Sequence, residues 1–136
     1  MLITLTQEQA RVPVTVMHLH GDLDASNYTE VIKKAQELYE SKVRDLVLDM
    51  SKVPYMSSAG LMSLHTAALI FAGQQVQTGG SGRPSFRAID PQKDQAARQH
   101  VKLFGPQTQV DQVLETVGLK QFFEIFTDLQ AALKSF

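Results

Sequence analysis

Cysteine is absent from the 136 residues of this chain. The chain therefore forms no disulfide, has no thiol nucleophile and cannot hold a metal through thiolates. Its 13 Lys and Arg nearly balance its 14 Asp and Glu, so the basic excess typical of nucleic-acid binding and of anionic-lipid binding is missing. No apolar run approaches the ~20 residues of a membrane span, and the first residues lack the basic and apolar regions of a signal peptide. We expect one cytoplasmic domain over residues 1–136, without direct membrane insertion.

Strand and helix patterns alternate along most of the chain, with strands expected at 2–5, 12–20, 45–50, 101–104 and 122–126. Helices are expected to begin near Asn27, Ser57, Thr108 and either Thr127 or Asp128. The strand at 45–50 is apolar throughout its middle, as in a strand covered on both faces. Alternating strands and helices predict an α/β fold, a small, mixed, mostly parallel sheet with helices packed against it.

Two local features complete this prediction. Asn27 and Glu30 have the spacing of a capping box at the start of the first helix. Residues 74–99 have linker composition at their start and few apolar side chains, so a flexible insertion is expected there.

The histidines give no clear ligand set. His18 and His20 lie two apart on a strand and share one face, a spacing that can hold a metal, but no third ligand is apparent. A partly exposed sheet face is the simpler interpretation. His65 and His100 are expected to be isolated surface residues.

Three aspartates follow or end predicted strands. Asp22, Asp24 and Asp49 lie where α/β sheets bind ligands, and together they could form a magnesium site. Aspartate is equally expected at these points as a cap and turn former. No cofactor is predicted.

The common catalytic motifs are missing from the sequence. It has neither a Gly-x-Gly-x-x-Gly loop, nor a phosphate loop ending in Gly-Lys-Ser or Gly-Lys-Thr, nor a Gly-x-Ser-x-Gly elbow. Ser57 and Ser58 stand at a strand-to-helix turn, where a nucleophile could lie, but no histidine is obviously placed as their base. We expect no enzymatic activity.

The most informative segment runs from Asp49 to Leu61, where an apolar strand ends in Asp-Met-Ser and Ser-Ser-Ala-Gly-Leu opens a helix. This segment resembles the phosphorylation loop of STAS domains, the fold shared by bacterial anti-sigma factor antagonists and sulfate-transporter tails. The turn Gly21–Asp24 resembles that family's acidic turn. Later elements of the family are matched at 101–106, 113–119 and 123–126. The resemblance covers nearly the whole chain outside residues 74–99.

The resemblance implies roles for individual residues. Ser58 matches the serine that a partner kinase phosphorylates, with Ser57 as an alternative acceptor. Asp22 and Asp24 match the acidic turn that contacts the kinase, and the expected partner contacts continue through Ser57, Ser58, Ala59, Gly60 and Leu61. Two departures stand out, because Ser57 replaces an aspartate and Ala59 replaces a second serine found in many antagonists.

The implied function is a phosphorylation-switched protein–protein interaction module. It would bind a kinase-type anti-sigma factor, regulate sigma-factor-dependent transcription, and be reset by a phosphatase. A phosphate at a helix N-terminus is tolerated by the helix dipole but alters the surface, so binding is expected only when Ser58 is bare. Other interpretations stay open: serines that merely cap the helix, a scaffold or ligand-sensing subunit of a larger signalling or transport assembly, and a homodimer.

Overall fold

The structure is a computed structural model that describes residues 1–73 and 91–136, with side chains from 96 onward in the second range. The strands are β1 (Leu2–Gln9), β2 (Pro13–His20), β3 (Leu46–Lys52), β4 (Val101–Phe104) and β5 (Ile125–Phe126). The helices are α1 (Tyr28–Glu40), α2 (Ser58–Phe71), α3 (Pro91–His100), α4 (Thr108–Thr116) and α5 (Leu129–Lys134).

The sheet has the strand order β1-β2-β3-β4-β5. β1 is antiparallel to β2, and every later pair is parallel. The expected mixed, mostly parallel sheet with helices against it is therefore confirmed. Because the parallel strands all end at the same edge, the connections that follow β2, β3 and β4 lie together there.

Side-chain alternation along the strands divides the core between the two faces of the sheet. On β3, Leu46, Leu48 and Met50 are buried toward α1 and α2, while Val47 points to the opposite face, which α5 covers. Each fully buried side chain of this size stabilises the fold by roughly 1.5–3 kcal/mol relative to an exposed one. This two-sided cover explains the continuous apolar sequence of β3.

Helix α2 is buried on almost every side. Met62 is half-buried, and every other residue from Gly60 to Phe71 is buried. A helix that is apolar all round needs cover on several faces, which α1, α3 and α4 provide together with the sheet. The start of α2 is therefore held in a fixed position.

Some element boundaries differ from the predicted ones. β1 continues through a polar stretch to Gln9, because each of its residues pairs with β2. β5 is limited to two residues, since the chain from Leu119 to Phe123 forms turns that bury Phe123. Helix α3 occupies 91–99 of the expected flexible insertion, whereas residues 74–90 lie outside the described residues.

The helix starts also differ in detail. The predicted capping box is wrong, because the Asn27 side chain makes no cap hydrogen bond to α1. Gln107, not Thr108, is the N-cap of α4. Asp128 does cap α5, since its carboxylate accepts from the N–H of Ala131 at 3.2 Å. No helix in the described ranges is long and apolar enough to cross a membrane.

Candidate functional site

The acidic turn and the connection before α2 are joined by backbone hydrogen bonds. Gly21 N donates to Lys52 O, Leu23 N donates to Tyr55 O, and Ser57 N donates to Leu23 O, each at 3.0 Å. Leu23 forms an isolated parallel bridge with Met56. These bonds extend the β2–β3 pairing past the regular strands, so the acidic turn lies directly beside the first turn of α2.

Gly60 allows this close approach. A Cβ atom at position 60 would lie 2.5 Å from the carbonyl oxygen of Leu23 and 2.8 Å from Cγ of Met56. Both distances are shorter than any ordinary contact, and the first atom belongs to the backbone. Glycine is therefore required at this position for its lack of volume.

The two serines at the start of α2 have different environments. Ser57 is the N-cap, and its Oγ accepts from the N–H of Gly60 at 3.3 Å. Ser57 is half-buried, whereas Ser58, the first residue of the helix, is exposed. The hydroxyl of Ser57 is thus engaged in capping, and Ser58 lies at the solvent-exposed surface.

The side chains of the acidic turn are also placed differently. Asp22 is exposed, and Asp24 is half-buried. Asp24 Oδ1 accepts from Ser26 Oγ at 2.5 Å and from Ser26 N at 2.9 Å, and these bonds lower the pKa of Asp24. Asn27 spans the turn, since its Oδ1 accepts from Asp24 N and its Nδ2 donates to Asp22 O. The residue expected to cap α1 therefore fixes the acidic turn instead.

A glutamine that the sequence did not point to holds the connection before α2. Gln109 Oε1 accepts from Met56 N at 2.9 Å, and its Nε2 donates to Met56 O at 3.3 Å. Nearby, Gln107 Nε2 donates to Ser51 O at 3.0 Å. Helix α4 thus anchors the segment that leads to Ser57. The contact between Gln109 and Met56 could not be predicted from the sequence, because the two residues are 53 positions apart.

Two of the predicted partner contacts do not lie on the surface around Ser58. Gly60 is buried, and Leu61 retains 1% of its exposure, so these two lie beneath the surface. Ala59 is half-buried. Tyr55, which the sequence did not single out, is 46% exposed in the same connection. We define the Ser58 surface as Asp22, Asp24, Tyr55, Ser57, Ser58 and Ala59.

A second polar group lies on the same sheet face as α5, on strand residues that continue past those that α5 contacts. Thr6 Oγ1 is 2.9 Å from His18 Nε2, and His18 Nδ1 is 2.5 Å from Asp49 Oδ2. Asp49 Oδ1 accepts from Ser51 Oγ at 2.6 Å and from Ser51 N at 2.9 Å. Burial alone raises the pKa of Asp49, but the hydrogen bonds from Ser51 and His18 outweigh it and lower the pKa.

The alternative magnesium site of Asp22, Asp24 and Asp49 is not assembled. Asp49 is committed to His18 and Ser51, whereas Asp22 and Asp24 belong to the turn beyond the sheet edge. Among the described residues, no group of three or more histidine or acidic side chains could hold a metal ion.

The expectation of isolated surface histidines is wrong at both positions. His65, in α2, is buried, and this burial lowers its pKa. The centroids of the His65 and Phe122 rings are 4.9 Å apart. His100 Nδ1 contacts Asp45 Oδ1 at 2.9 Å. In contrast, His18 and His20 do lie on a partly exposed sheet face, where His20 Nε2 is 3.3 Å from Thr4 Oγ1.

Comparison with known proteins gives one family. Residues 5–78, more than half of the chain, match the family model for the STAS domain. The search of curated proteins found no match.

Solved structures with the same fold include regulators and a transporter family member. An anti-sigma factor antagonist from Mycobacterium paratuberculosis has 17% identity and a TM-score of 0.65, with 98% of this chain and 93% of that chain covered. The Bacillus cell fate determinant SpoIIAA in its phosphorylated form has 14% identity and a TM-score of 0.58, with 96% of each chain covered. A sulfate transporter family protein from Wolinella succinogenes has 15% identity and a TM-score of 0.59, with 88% of this chain and 81% of that chain covered.

Proposed function

The chain belongs to the STAS domain family, and from this we propose that it is a protein–protein interaction module switched by phosphorylation of Ser58. The observation that carries the proposal is the exposure of Ser58 at the start of α2, beside an acidic turn that is hydrogen-bonded to the preceding residue. Ser57 is the weaker acceptor candidate, because the residue is half-buried and its hydroxyl caps the helix.

A phosphate on Ser58 is compatible with the fold. The N–H groups in the first turn of a helix have no carbonyl one turn earlier to bind, and the helix dipole favours negative charge there. Ser58 is exposed, so the new group needs no space in the core. Phosphorylation therefore changes the surface and leaves the domain folded.

The same phosphate opposes binding to a partner. It adds about −1.5 to −2 charges to a surface that already carries Asp22 and Asp24. An interface that buries the Ser58 surface would have to desolvate this charge, which is costly without a cation opposite it. The unmodified chain is the binding form, and the phosphorylated chain is released.

The partner in this proposal is a kinase-type anti-sigma factor. The chain would be both its ligand and its substrate, and capture of the anti-sigma factor would release a sigma factor for transcription. A phosphatase would return the chain to the binding form. Similar solved structures are described as anti-sigma factor antagonists, which supports a partner of this kind.

The test is phosphorylation by the kinase-type anti-sigma factors encoded in the same genome. Each kinase is incubated with ATP and the wild-type chain, Ser58→Ala or Ser57→Ala, and the phosphate is located by peptide mass spectrometry. Wild type and Ser57→Ala are expected to gain one phosphate at residue 58, and Ser58→Ala none. Transfer to Ser57 alone, or to neither serine with every kinase, contradicts the proposal.

The proposal includes the absence of catalysis by the chain itself. Thr6, His18 and Asp49 follow the order hydroxyl, imidazole, carboxylate that activates nucleophiles in hydrolases. We assign them a structural role, joining β1, β2 and β3. Hydrolysis of p-nitrophenyl acetate is then expected to be equal for wild type and His18→Gln. A saturable rate lost in His18→Gln and in Thr6→Val would overturn this part.

A second candidate is a scaffold subunit of a transport or sensory assembly. It is favoured by Ser57 and Ala59, which stand where many antagonists have aspartate and serine. A scaffold would co-purify with its assembly whether or not Ser58 is phosphorylated. Equal recovery of partners by Ser58→Ala and Ser58→Asp would favour the scaffold.

A further inference from the structure

The outer edge of β1 is a long strand edge without the usual protection. Within the described residues, β1 pairs with β2 alone, in continuous register from Leu2 to Gln9. Its sequence, Leu-Ile-Thr-Leu-Thr-Gln-Glu-Gln, contains no lysine, arginine or proline, and its one charge is Glu8 near the end. Proteins normally blunt such edges with charges, proline, bulges or short strands. The opposite edge, β5, has two residues.

The pairing within the sheet identifies which backbone groups of β1 point outward. Thr15 N donates to Asp45 O, which immediately precedes β3, so odd-numbered residues of β2 direct their backbone groups toward β3. Direction alternates along a strand, so the even-numbered residues of β2 and their β1 partners, such as Thr4 opposite His18, bond each other. Ile3 and Leu5 therefore direct their N–H and C=O groups toward the open edge.

A groove between β1 and α1 lies beside this edge. It has a volume of about 400 Å³ and is lined by Met1, Leu2, Ile3, Glu30, Lys33, Lys34 and Glu37. Its two lysines and two glutamates balance each other, and the ammonium of Met1, 3.7 Å from Glu30 Oε2, adds one positive charge. Leu5 lies on the same face of β1 as Ile3, two residues further along the strand, and it is 40% exposed. The open edge of β1 thus has an exposed apolar side chain, Leu5, and a groove beside it.

We infer that the β1 edge binds a second copy of this chain, through antiparallel pairing of the two β1 strands about a two-fold axis at Thr4. This register places Leu5 of each copy opposite Ile3 of the other, at the mouth of the groove, and each such pair exchanges two backbone hydrogen bonds. The two contacts are identical by symmetry, as in most closed dimers. The interface does not use the Ser58 surface, so a dimer and a phosphorylation switch are independent.

The register predicts a specific cross-link. The two Thr4 residues form a pair without backbone hydrogen bonds between them, where Cβ atoms approach most closely. The chain has no other cysteine, so Thr4→Cys introduces one thiol per copy. Mild oxidation is expected to link the copies through residue 4. Val117→Cys, at the exposed C-cap of α4, serves as the control for random collision.

Solution mass provides the second measurement. Light scattering is expected to give twice the 15.1 kDa of the chain for wild type. Leu5→Lys replaces the apolar side chain at the edge by an ammonium group, which the pairing would have to desolvate, and is expected to weaken the dimer by about tenfold or more. Val117→Lys is the matched control and leaves the dimer intact. Circular dichroism confirms that each variant is folded.

Each outcome decides the proposal. Selective cross-linking of Thr4→Cys, with a dimer weakened by Leu5→Lys, supports it. A wild-type monomer at every concentration up to the solubility limit overturns it. A dimer that Thr4→Cys cross-links no faster than Val117→Cys also overturns it, because another surface then joins the copies. If Leu5→Lys does not fold, the cross-linking comparison alone decides.

Discussion

The carbonyl oxygen of Leu23 accepts a hydrogen bond from the N–H of Ser57 at 3.0 Å and lies 2.5 Å from the position that a Cβ of residue 60 would take. One backbone atom thus connects the acidic turn to the first turn of α2 and sets how closely the two can pack. The neighbours of Leu23 are Asp22 and Asp24, and the residue after Ser57 is Ser58. This contact therefore fixes the carboxylates relative to the candidate phosphoacceptor.

Replacing Gly60 by alanine tests this contact. The added methyl group cannot be accommodated without moving the backbone at Leu23, so we expect Gly60→Ala to destabilise the domain by about 1–3 kcal/mol. Urea denaturation measures the change in the free energy of unfolding. Ser58→Ala, on the same helix turn but exposed, is the control and should change stability by less than about 0.5 kcal/mol. Equal midpoints for Gly60→Ala and wild type would contradict the close approach.

Replacing Gln109 tests the anchor on α4. Gln109→Ala removes both partners of the Met56 backbone, which is expected to cost about 1–3 kcal/mol because the buried groups are left without hydrogen bonds. Amide exchange at Met56 should become faster. Gln112→Ala, at an exposed position of the same helix, controls for helix propensity. If Met56 exchanges equally slowly in both variants, Gln109 does not hold this connection.

The element types could be predicted because the sequence patterns were strong. The apolar middle of β3 correctly predicted a strand covered on both faces, and Ser58 was correctly placed at a helix start. Extended polar pairing was harder to predict, because Thr6 and Glu8 of β1 lack an apolar alternation. The Phe122–Phe126 segment has strand-like composition, but the strand is limited to Ile125 and Phe126, while Phe122 and Phe123 lie in turns and make ring contacts.

The contacts that fix the site could not be read from sequence. Gln109 reaches the backbone of Met56 through a long-range side-chain contact that has no local pattern. Asn27 has the sequence context of an N-cap, yet bonds within the acidic turn satisfy its amide. His65 has no local sequence signal of burial, because its burial follows from the packing of α2 on almost every side. Tertiary packing decides all three cases.

Acid stability tests the group around Asp49. The pKa of Asp49 is lower in the folded protein than the reference of about 3.9 expected in the unfolded chain. Its contribution to stability is therefore complete above about pH 4 and is lost as the pH falls through the folded value. Asp49→Asn is expected to be less stable than wild type at neutral pH and to lose less stability on acidification.

Thermal unfolding over a pH series measures this difference. Asp22→Asn is the control for the loss of one carboxylate, because Asp22 is exposed and lies outside the group around Asp49. Parallel profiles for Asp49→Asn and wild type below about pH 4 would show that the bonds from Ser51 and His18 do not stabilise the ionised carboxylate.

The most direct measurement of the proposed switch is the affinity of two otherwise identical chains for the kinase-type anti-sigma factor. One chain carries phosphoserine at position 58, and the other is unmodified. A third chain, with phosphoserine at the exposed position of Val117, controls for added charge. Isothermal titration calorimetry is expected to show binding at least about tenfold weaker for the first chain, which corresponds to about 1.4 kcal/mol, with the other two equal. Equal affinity for all three chains would contradict a switch at Ser58.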